Sequence, residues 1–461
     1  MNFHEMAEKQ GVDKLTALIA AMIVAAASRC RQVTLSGKMS LMMFAFVFAT
    51  SAFAIAPSVQ EVSASQNPAS RRVTISYRLT GAPAIVTVDI QTNTLSDASG
   101  EWVSIGGEHL SYLIGAANRL NKNTTGTSYA YWLPHKSWPN AGLLQNVKAV
   151  VTAWATNAPP DYMAVDLVNV SNVYFYASRA EIPGGDTDRR YKTDWMLMRK
   201  IPAAHEIWTM GVIGAARGPV ALSDDYYVSI YELTEGQFAK FDTSRSFSDA
   251  LKPVTAYRID VMRGDVKPTG SCRWPDNGHR VGGKLLLMRN RTGIDFDLPT
   301  EAQWEFACRA GSTDDYNGNT PTGDLGWYAD NWSDDTESGL TANGLHRVGL
   351  KPSNAWGLYD MHGNAWEICL EALVSVGQDW FAHVPGEDPL IDPTTPLNWP
   401  DAATWSDSFV GRYFMHRGGG YSSSASEMKS GTWKTLYDWN DVRTYDDLRG
   451  YRFVAPAGIG H

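Results

Sequence analysis

From about Val59 to Tyr176 the chain alternates between apolar and polar residues. Arg72–Leu79 reads RVTISYRL, close to the period-two pattern of a strand with one buried face. Ala84–Ile90 (AIVTVDI), Val147–Trp154, Tyr162–Leu167 and Val173–Tyr176 have similar content, with Asn, Gly and Pro clusters between them. Short strands with turn spacers predict a small β-sandwich of immunoglobulin-like or fibronectin-like type over residues 57–177. Nothing in it looks catalytic; it reads as a spacer, docking surface or binding module. Ser178–Lys192, which contains PGGDTDRRYK, is polar and turn-rich and predicts a linker or long surface loop.

A new pattern starts at residue 193 and runs to 461. Trp195–Ile201 (WMLMRKI) and Tyr226–Tyr231 are strand candidates. Thr234 and Gln237 have the spacing of a capping box before a short helix. A second helix is expected over about Pro253–Met262, closed by Gly264. The clearest local signal is Leu298–Gly311, LPTEAQWEFACRAG. Thr300 suits the N-cap and Gln303 completes the box, while Glu301 favours the positive end of the helix dipole. Trp304, Ala307 and Cys308 share one face, and Glu301, Glu305 and Arg309 share another. The charged face is read as ordinary helix salt links rather than as a catalytic acid.

The N-terminal residues carry a processing signal. Lys38 and Met39 are followed by SLMMFAFVFATSAFAIA, a short apolar run ending in small residues, with cleavage expected after Ala54 or Ala56. Met39 is then the preferred start, and Leu15–Ala27 a second membrane-inserting segment in the alternative reading. No other segment is long and apolar enough to span a bilayer, so a secreted, periplasmic or cell-surface protein is expected.

Composition narrows this further. A net charge of −9 and the absence of a long Lys/Arg run argue against nucleic acid as partner. The 17 Trp, 20 Tyr and 40 Gly predict a loop-rich fold with aromatic residues in its core. The four cysteines, Cys30, Cys272, Cys308 and Cys369, form no CxxC pair. A Cys272–Cys308 disulfide and buried free thiols at Cys308 and Cys369 both stay open.

Six blocks in order, from Met196–Gly211 (MLMRKIPAAHEIWTMG) and Tyr226–Phe241 (YYVSIYELTEGQFAKF), through Leu298–Gly311 and Val348–Glu367 (VGLKPSNAWGLYDMHGNAWE), to His416–Tyr421 (HRGGGY) and Gly450–Val454 (GYRFV), resemble the formylglycine-generating, or sulfatase-modifying-factor, family. The resemblance implies an α+β C-type-lectin-like fold rich in irregular structure. It also implies a structural calcium held by the side chains of Asp360 and Glu367 and the carbonyls of Gly363 and Ala365. Two carboxylates around a glycine turn begin a set of hard oxygen ligands. A weaker second site is implied at Asn331 and the carbonyl of Trp332, with Asp334, Asp335 and Glu337 nearby.

The departure from the family comes at its chemistry. Enzymes of this family use two cysteines after the RGG block to hold copper(I), and soft thiolates suit that metal. The corresponding positions here are Ser423 and Met428. The strand-rich N-terminal region also offers no HxxxH or HxxxE set of the kind used by relatives that employ iron. Copper and iron are therefore not expected, and there is no GxSxG or HExxH motif. Around Ser423, the residues Trp433, Tyr437, Trp439 and Arg443 are candidates for a binding cleft, because aromatics with Arg nearby stack on sugars and peptides. The preferred reading is an exported, calcium-stabilised, non-catalytic protein that binds a glycan, a peptide or an envelope protein. The competing reading is a metal-dependent oxidoreductase with a relocated site involving Cys369 or a nearby histidine.

Overall fold

The computed structural model describes residues 56–458, except 96–97, 123–125, 139–145, 170–171, 245, 248, 256, 258, 264–282, 318–321, 334–343, 374–389, 393–412 and 438–448. The expected signal segment, Cys30, Cys272 and the Asp334–Glu337 acids lie outside the described residues. None of the described helices is long and apolar enough to cross a membrane.

The N-terminal region is built of two antiparallel sheets. One runs Ser58–Gln66, Val73–Thr80, Ser128–Trp132 and Leu113–Gly115. The other pairs Ala84–Asn93 with Trp102–Ser104, Arg119–Asn121 and Val147–Ala155. Val73, Ile75 and Trp132 from the first share a core with Val88 and Ile90 from the second. Val73–Thr80 buries alternate residues, as a strand covered on one side must. Ala84–Asn93 differs, because its first five residues are all buried. Its other face is covered too: Ile85 joins Met163, Ile368, Tyr451 and Phe453 in a core of the C-terminal region, and the Trp154 indole donates to Thr87 Oγ1 at 2.9 Å.

This shared core corrects the expected grouping of strands. Tyr162–Leu167, a strand over Tyr162–Asp166, and Val173–Tyr176 lie outside the N-terminal sandwich in which they are expected. They belong to an antiparallel five-stranded sheet in the order Val173–Tyr176, Tyr162–Asp166, Trp195–Ile201, Tyr226–Ser229 and Val454–Pro456. Alternation gives a strand its face and not its partner, so pairing across a polar segment was invisible locally. That segment is no loose spacer either. It folds into two 3-10 turns, Arg179–Glu181 and Arg189–Lys192. Tyr191 is buried and donates to the Pro183 carbonyl, and the Asp186 carbonyl accepts from Tyr231 at 3.0 Å.

Two smaller sheets complete the C-terminal region. One orders Ile207–Val212, Ala215–Ala221 and Leu390–Ile391. The other orders Trp433–Tyr437, Tyr413–Arg417, Trp366–Leu373 and Arg449–Gly450. Both expected capping boxes form, at Thr234 with Gln237 and at Thr300 with Gln303. The second expected helix is shorter than its pattern, Ile259–Arg263. Glu301–Arg309 is buried along its entire length between the sheets, which brings its charged face into the site.

Candidate functional site

The centre of the C-terminal region is a set of buried ion pairs. Arg452 grips Glu367 through Nε, at 3.0 and 2.9 Å from the two carboxylate oxygens, and through a terminal nitrogen at 2.7 Å. The remaining guanidinium bonds go to the carbonyls of Ser229 (2.9 Å) and Tyr359 (2.8 Å). Glu367 Oε2 also accepts from the Trp304 indole at 2.5 Å. Helix Glu301–Arg309 supplies the second set: Arg417 pairs with Glu301 and Glu305, each at 3.1 Å, and Glu305 pairs with Arg309 at 2.7 Å. The expected i,i+4 link is therefore present but fully buried. Arg417 was absent from the sequence reading of that face because it arrives from a strand more than 100 residues later.

Glu371 completes this second set. Both of its oxygens accept the Glu301 N–H, at 3.0 and 2.9 Å. Burial, followed by the neighbouring Glu301, pushes its carboxyl up to about 8. A folded-state value above the unfolded one means that the folded protein holds a proton the unfolded chain releases. The associated stability is fully present below the ordinary value of 4.5 and is lost as pH rises through about 8. Glu371→Gln, which fixes the neutral form, is expected to flatten the fall in melting temperature between those limits. An unchanged slope in thermal melts across that window would dismiss Glu371 as its source.

Of the residues expected to hold calcium, Asp360 and Glu367 lie near enough to each other to interact electrostatically. Glu367 is drawn into the Arg452 pair, where a guanidinium already neutralises it. Asp360 Oδ2 accepts the Gly349 N–H at 2.7 Å, while Oδ1 is buried with no hydrogen-bond partner among the described residues. Burial raises the Asp360 carboxyl to about 6. Glu232, which sequence reading missed, stands beside them: its oxygens accept from Asn364 Nδ2 (2.6 Å) and the Ala365 N–H (3.0 Å). Burial, then Asp360 and Glu367, push the Glu232 carboxyl well up. The only sequence signal for it was its place beside the Thr234 cap. Among the described residues no group of three His, Cys, Asp or Glu side chains stands in metal-holding geometry.

Asn331 and Trp332 have other work. Asn331 Oδ1 accepts the Tyr328 N–H at 2.8 Å, and Nδ2 donates to the carbonyls of Gly323 and Gly326. The Trp332 carbonyl accepts from His346 Nε2 at 2.6 Å, and the His346 ring stacks on Trp327 at 3.7 Å. These contacts staple a loop.

At the positions that correspond to the family cysteines, Ser423 and Met428 are both buried. Ser423 Oγ accepts the Gly420 N–H at 3.0 Å, and the Met428 carbonyl accepts from His362 Nδ1 at 2.6 Å. Ser424 and Glu427 cap each other around a 3-10 turn, so these hydroxyls close the loop on itself. Cys308 and Cys369 are buried free thiols, so Cys308 is not in a disulfide. Cys308 Sγ lies 3.7 Å from His362 Nε2. Burial pushes the Cys308 thiol up to about 12 and the His362 imidazole down to about 4. Both are neutral near pH 7, the opposite of a thiolate–imidazolium pair. Of the expected cleft residues, Trp433 packs partly buried against the main core and Tyr437 ends a strand. Trp439 and Arg443 lie outside the described residues.

Residues 176–456 match the family described as the sulfatase-modifying factor enzyme 1-like domain. The chain belongs to that family, with a C-type-lectin-like C-terminal region preceded by β-rich structure. It is 27% identical over 248 residues to a chaperone protein LppX of Paenibacillus barcinonensis, covering 45% of this chain and 72% of that protein. It is 24% identical over 279 residues to the formylglycine-generating enzyme of Bos taurus, covering 51% and 71% respectively. Treponema denticola variable protein 1 is a structural neighbour at 20% identity and TM-score 0.37, covering 57% of this chain and 95% of that one.

Proposed function

We propose that this chain is an exported, non-catalytic binding protein that uses the sulfatase-modifying-factor fold as a scaffold. Its ligand would be a glycan, a peptide or an envelope protein. The observation that carries the reading is the pair Ser423 and Met428. Where a copper oxidase of this family needs two thiolates, this chain has a hydroxyl committed to a backbone amide and a buried thioether residue. Among the described residues neither thiol is a ready substitute, because burial raises both Cys308 and Cys369 away from the thiolate form. The Paenibacillus relative carries the name of a chaperone, which is in keeping with binding without turnover. The N-terminal sheets would form an immunoglobulin- or fibronectin-like body that spaces or docks the C-terminal region.

Calcium remains part of the proposal on narrower grounds. Asp360 Oδ1 is a buried acceptor without a hydrogen-bond partner among the described residues, beside the carboxyl groups of Glu232 and Glu367. A hard cation there would use Asp360 with the carbonyls of Gly363 and Ala365, and Glu367 would remain with Arg452. The test is elemental analysis of residues 57–461 after exhaustive dialysis without chelator. Calcium near one equivalent, reduced in Asp360→Asn, with neither copper nor iron, is the expected result. Stoichiometric copper or iron, lost on changing Cys369, together with oxygen consumption, would replace this reading with the oxidoreductase.

A further inference from the structure

We propose that the Ile207–Val212 strand and the cavity beside it accept an extended polypeptide segment as an added strand. An apolar side chain of that segment would sit against Trp208, Phe306 and Trp356. This rests on the binding-protein reading and gives that reading a place and a partner class.

The backbone supports it first. Ile207–Val212 is the edge of its sheet among the described residues. The Gly211 N–H points away from its hairpin partner and donates to Glu305 Oε1 at 2.8 Å, and the Gly211 carbonyl, facing the same way, accepts from Arg309. On the far side of the hairpin the Ala221 carbonyl accepts from the Asp392 N–H at 2.8 Å, so Ala221 faces away from its partner Ile207, and Ile207 and Thr209 present their amides to the open edge. Opposite Thr209 stands Pro219, whose missing N–H suits a pair that exchanges no ladder hydrogen bonds. At Gly211 the edge is already occupied by the helix; at Ile207 and Thr209 it faces the cavity.

The cavity has the size and lining for a side chain with part of its backbone. It encloses about 760 Å³ between this strand, the C-terminal end of helix Glu301–Arg309 and Trp356. Phe306 lies between two tryptophans, with ring centroids 4.6 Å from Trp208 and 5.3 Å from Trp356. Ile207 and Ile213, 62% and 68% exposed, carry the apolar surface out to the mouth. Trp208 Nε1 is buried without an acceptor among the described residues, and a buried N–H is costly until something such as a peptide carbonyl meets it.

Charge sets the last requirement. Arg309 lines the cavity, but its guanidinium is committed to Glu305, the Gly211 carbonyl and the Asp314 carbonyl. Glu206, exposed at the rim, adds a negative charge. The fitting segment is extended and apolar, with a basic residue next to its anchor. Strand addition supplies affinity through main-chain hydrogen bonds, and the pocket supplies selectivity.

The experiment is selection of residues 57–461 against a phage-displayed library of random linear peptides. Selected peptides are then titrated by fluorescence anisotropy. Apolar peptides with a basic residue are expected. Thr209→Pro should weaken them about tenfold or more through lost edge hydrogen bonds, with Thr209→Ala binding as the parent does. Trp208→Ala should weaken them as well, and Glu206→Lys should reverse the charge preference. Thermal melts would check that each variant folds. Peptides insensitive to both Thr209→Pro and Trp208→Ala would overturn this site and leave the binding reading standing. Binding of oligosaccharides alone, or dimerisation abolished by Thr209→Pro, would overturn the peptide as occupant. Metal-dependent turnover without any peptide binding would overturn both readings.

Discussion

Arg452→Met is expected to lower the unfolding free energy by about 3–5 kcal/mol, the usual cost of leaving one member of a buried ion pair alone. The structure makes this position severe for three reasons. Arg452 and Glu367 are both fully buried. Three guanidinium contacts fall on the one carboxylate, the shortest at 2.7 Å. Two others hold the Ser229 and Tyr359 carbonyls, from different parts of the chain. Without the guanidinium, Glu367 is left buried beside Asp360 and Glu232 with no cation to compensate it. Urea unfolding followed by tryptophan fluorescence reads the change. The double variant Arg452→Met, Glu367→Leu should recover a large part of the loss, because the uncompensated charge leaves with its partner. A single-variant cost below about 1 kcal/mol would place the pair among marginal, solvent-screened contacts.

Gly363→Ala is the second severe case, at about 3 kcal/mol or more from backbone strain and steric conflict together. Gly363 has φ +87°, a conformation open to glycine and costly to alanine. An added Cβ would also lie 2.1 Å from the Trp327 carbonyl oxygen. Neither backbone is free to move aside. The Gly363 N–H donates to Gly418 at 2.7 Å, and the Asn364 N–H donates to that same Trp327 carbonyl at 2.8 Å. Gly185 separates the two costs, since it has φ +74° and nothing within 4 Å of an added Cβ. Gly185→Ala should cost only about 1 kcal/mol. Melting temperatures and soluble yield of the two variants, side by side, decide the matter; equal losses would remove the close approach as the cause.

Local patterns succeeded where the physics is local. A capping box is closed by residues three apart, so Thr234 with Gln237 and Thr300 with Gln303 were legible from spacing, and both form. Val173–Tyr176 and Trp195–Ile201 were read with the bounds they have. The serine and methionine at the family's thiolate positions were equally visible, since which residues occupy them is a property of sequence alone.

Pairing and charge compensation were not legible. The strands Tyr162–Asp166 and Val173–Tyr176 looked N-terminal, yet hydrogen-bond into the sheet of Trp195–Ile201. The Glu305–Arg309 helix link was legible and forms, but nothing local showed that Glu301 and Glu305 also lie buried against Arg417. Nothing near Glu367 in the sequence announced that both its oxygens face Arg452, 85 residues away. Glu232 gave no signal of its own and joined Asp360 and Glu367 only through folding.

Sequence by itself determined the family, the helix starts and the absence of the thiolate pair, because each depends on residue identity at short or fixed spacing. Only the tertiary structure decided which carboxylates are neutralised by arginine, which acceptor is left unmet at Asp360, and where an edge strand meets an aromatic cavity. Those outcomes depend on desolvation and on contacts between distant segments, and a buried charge shows its partner only once the chain has folded around both.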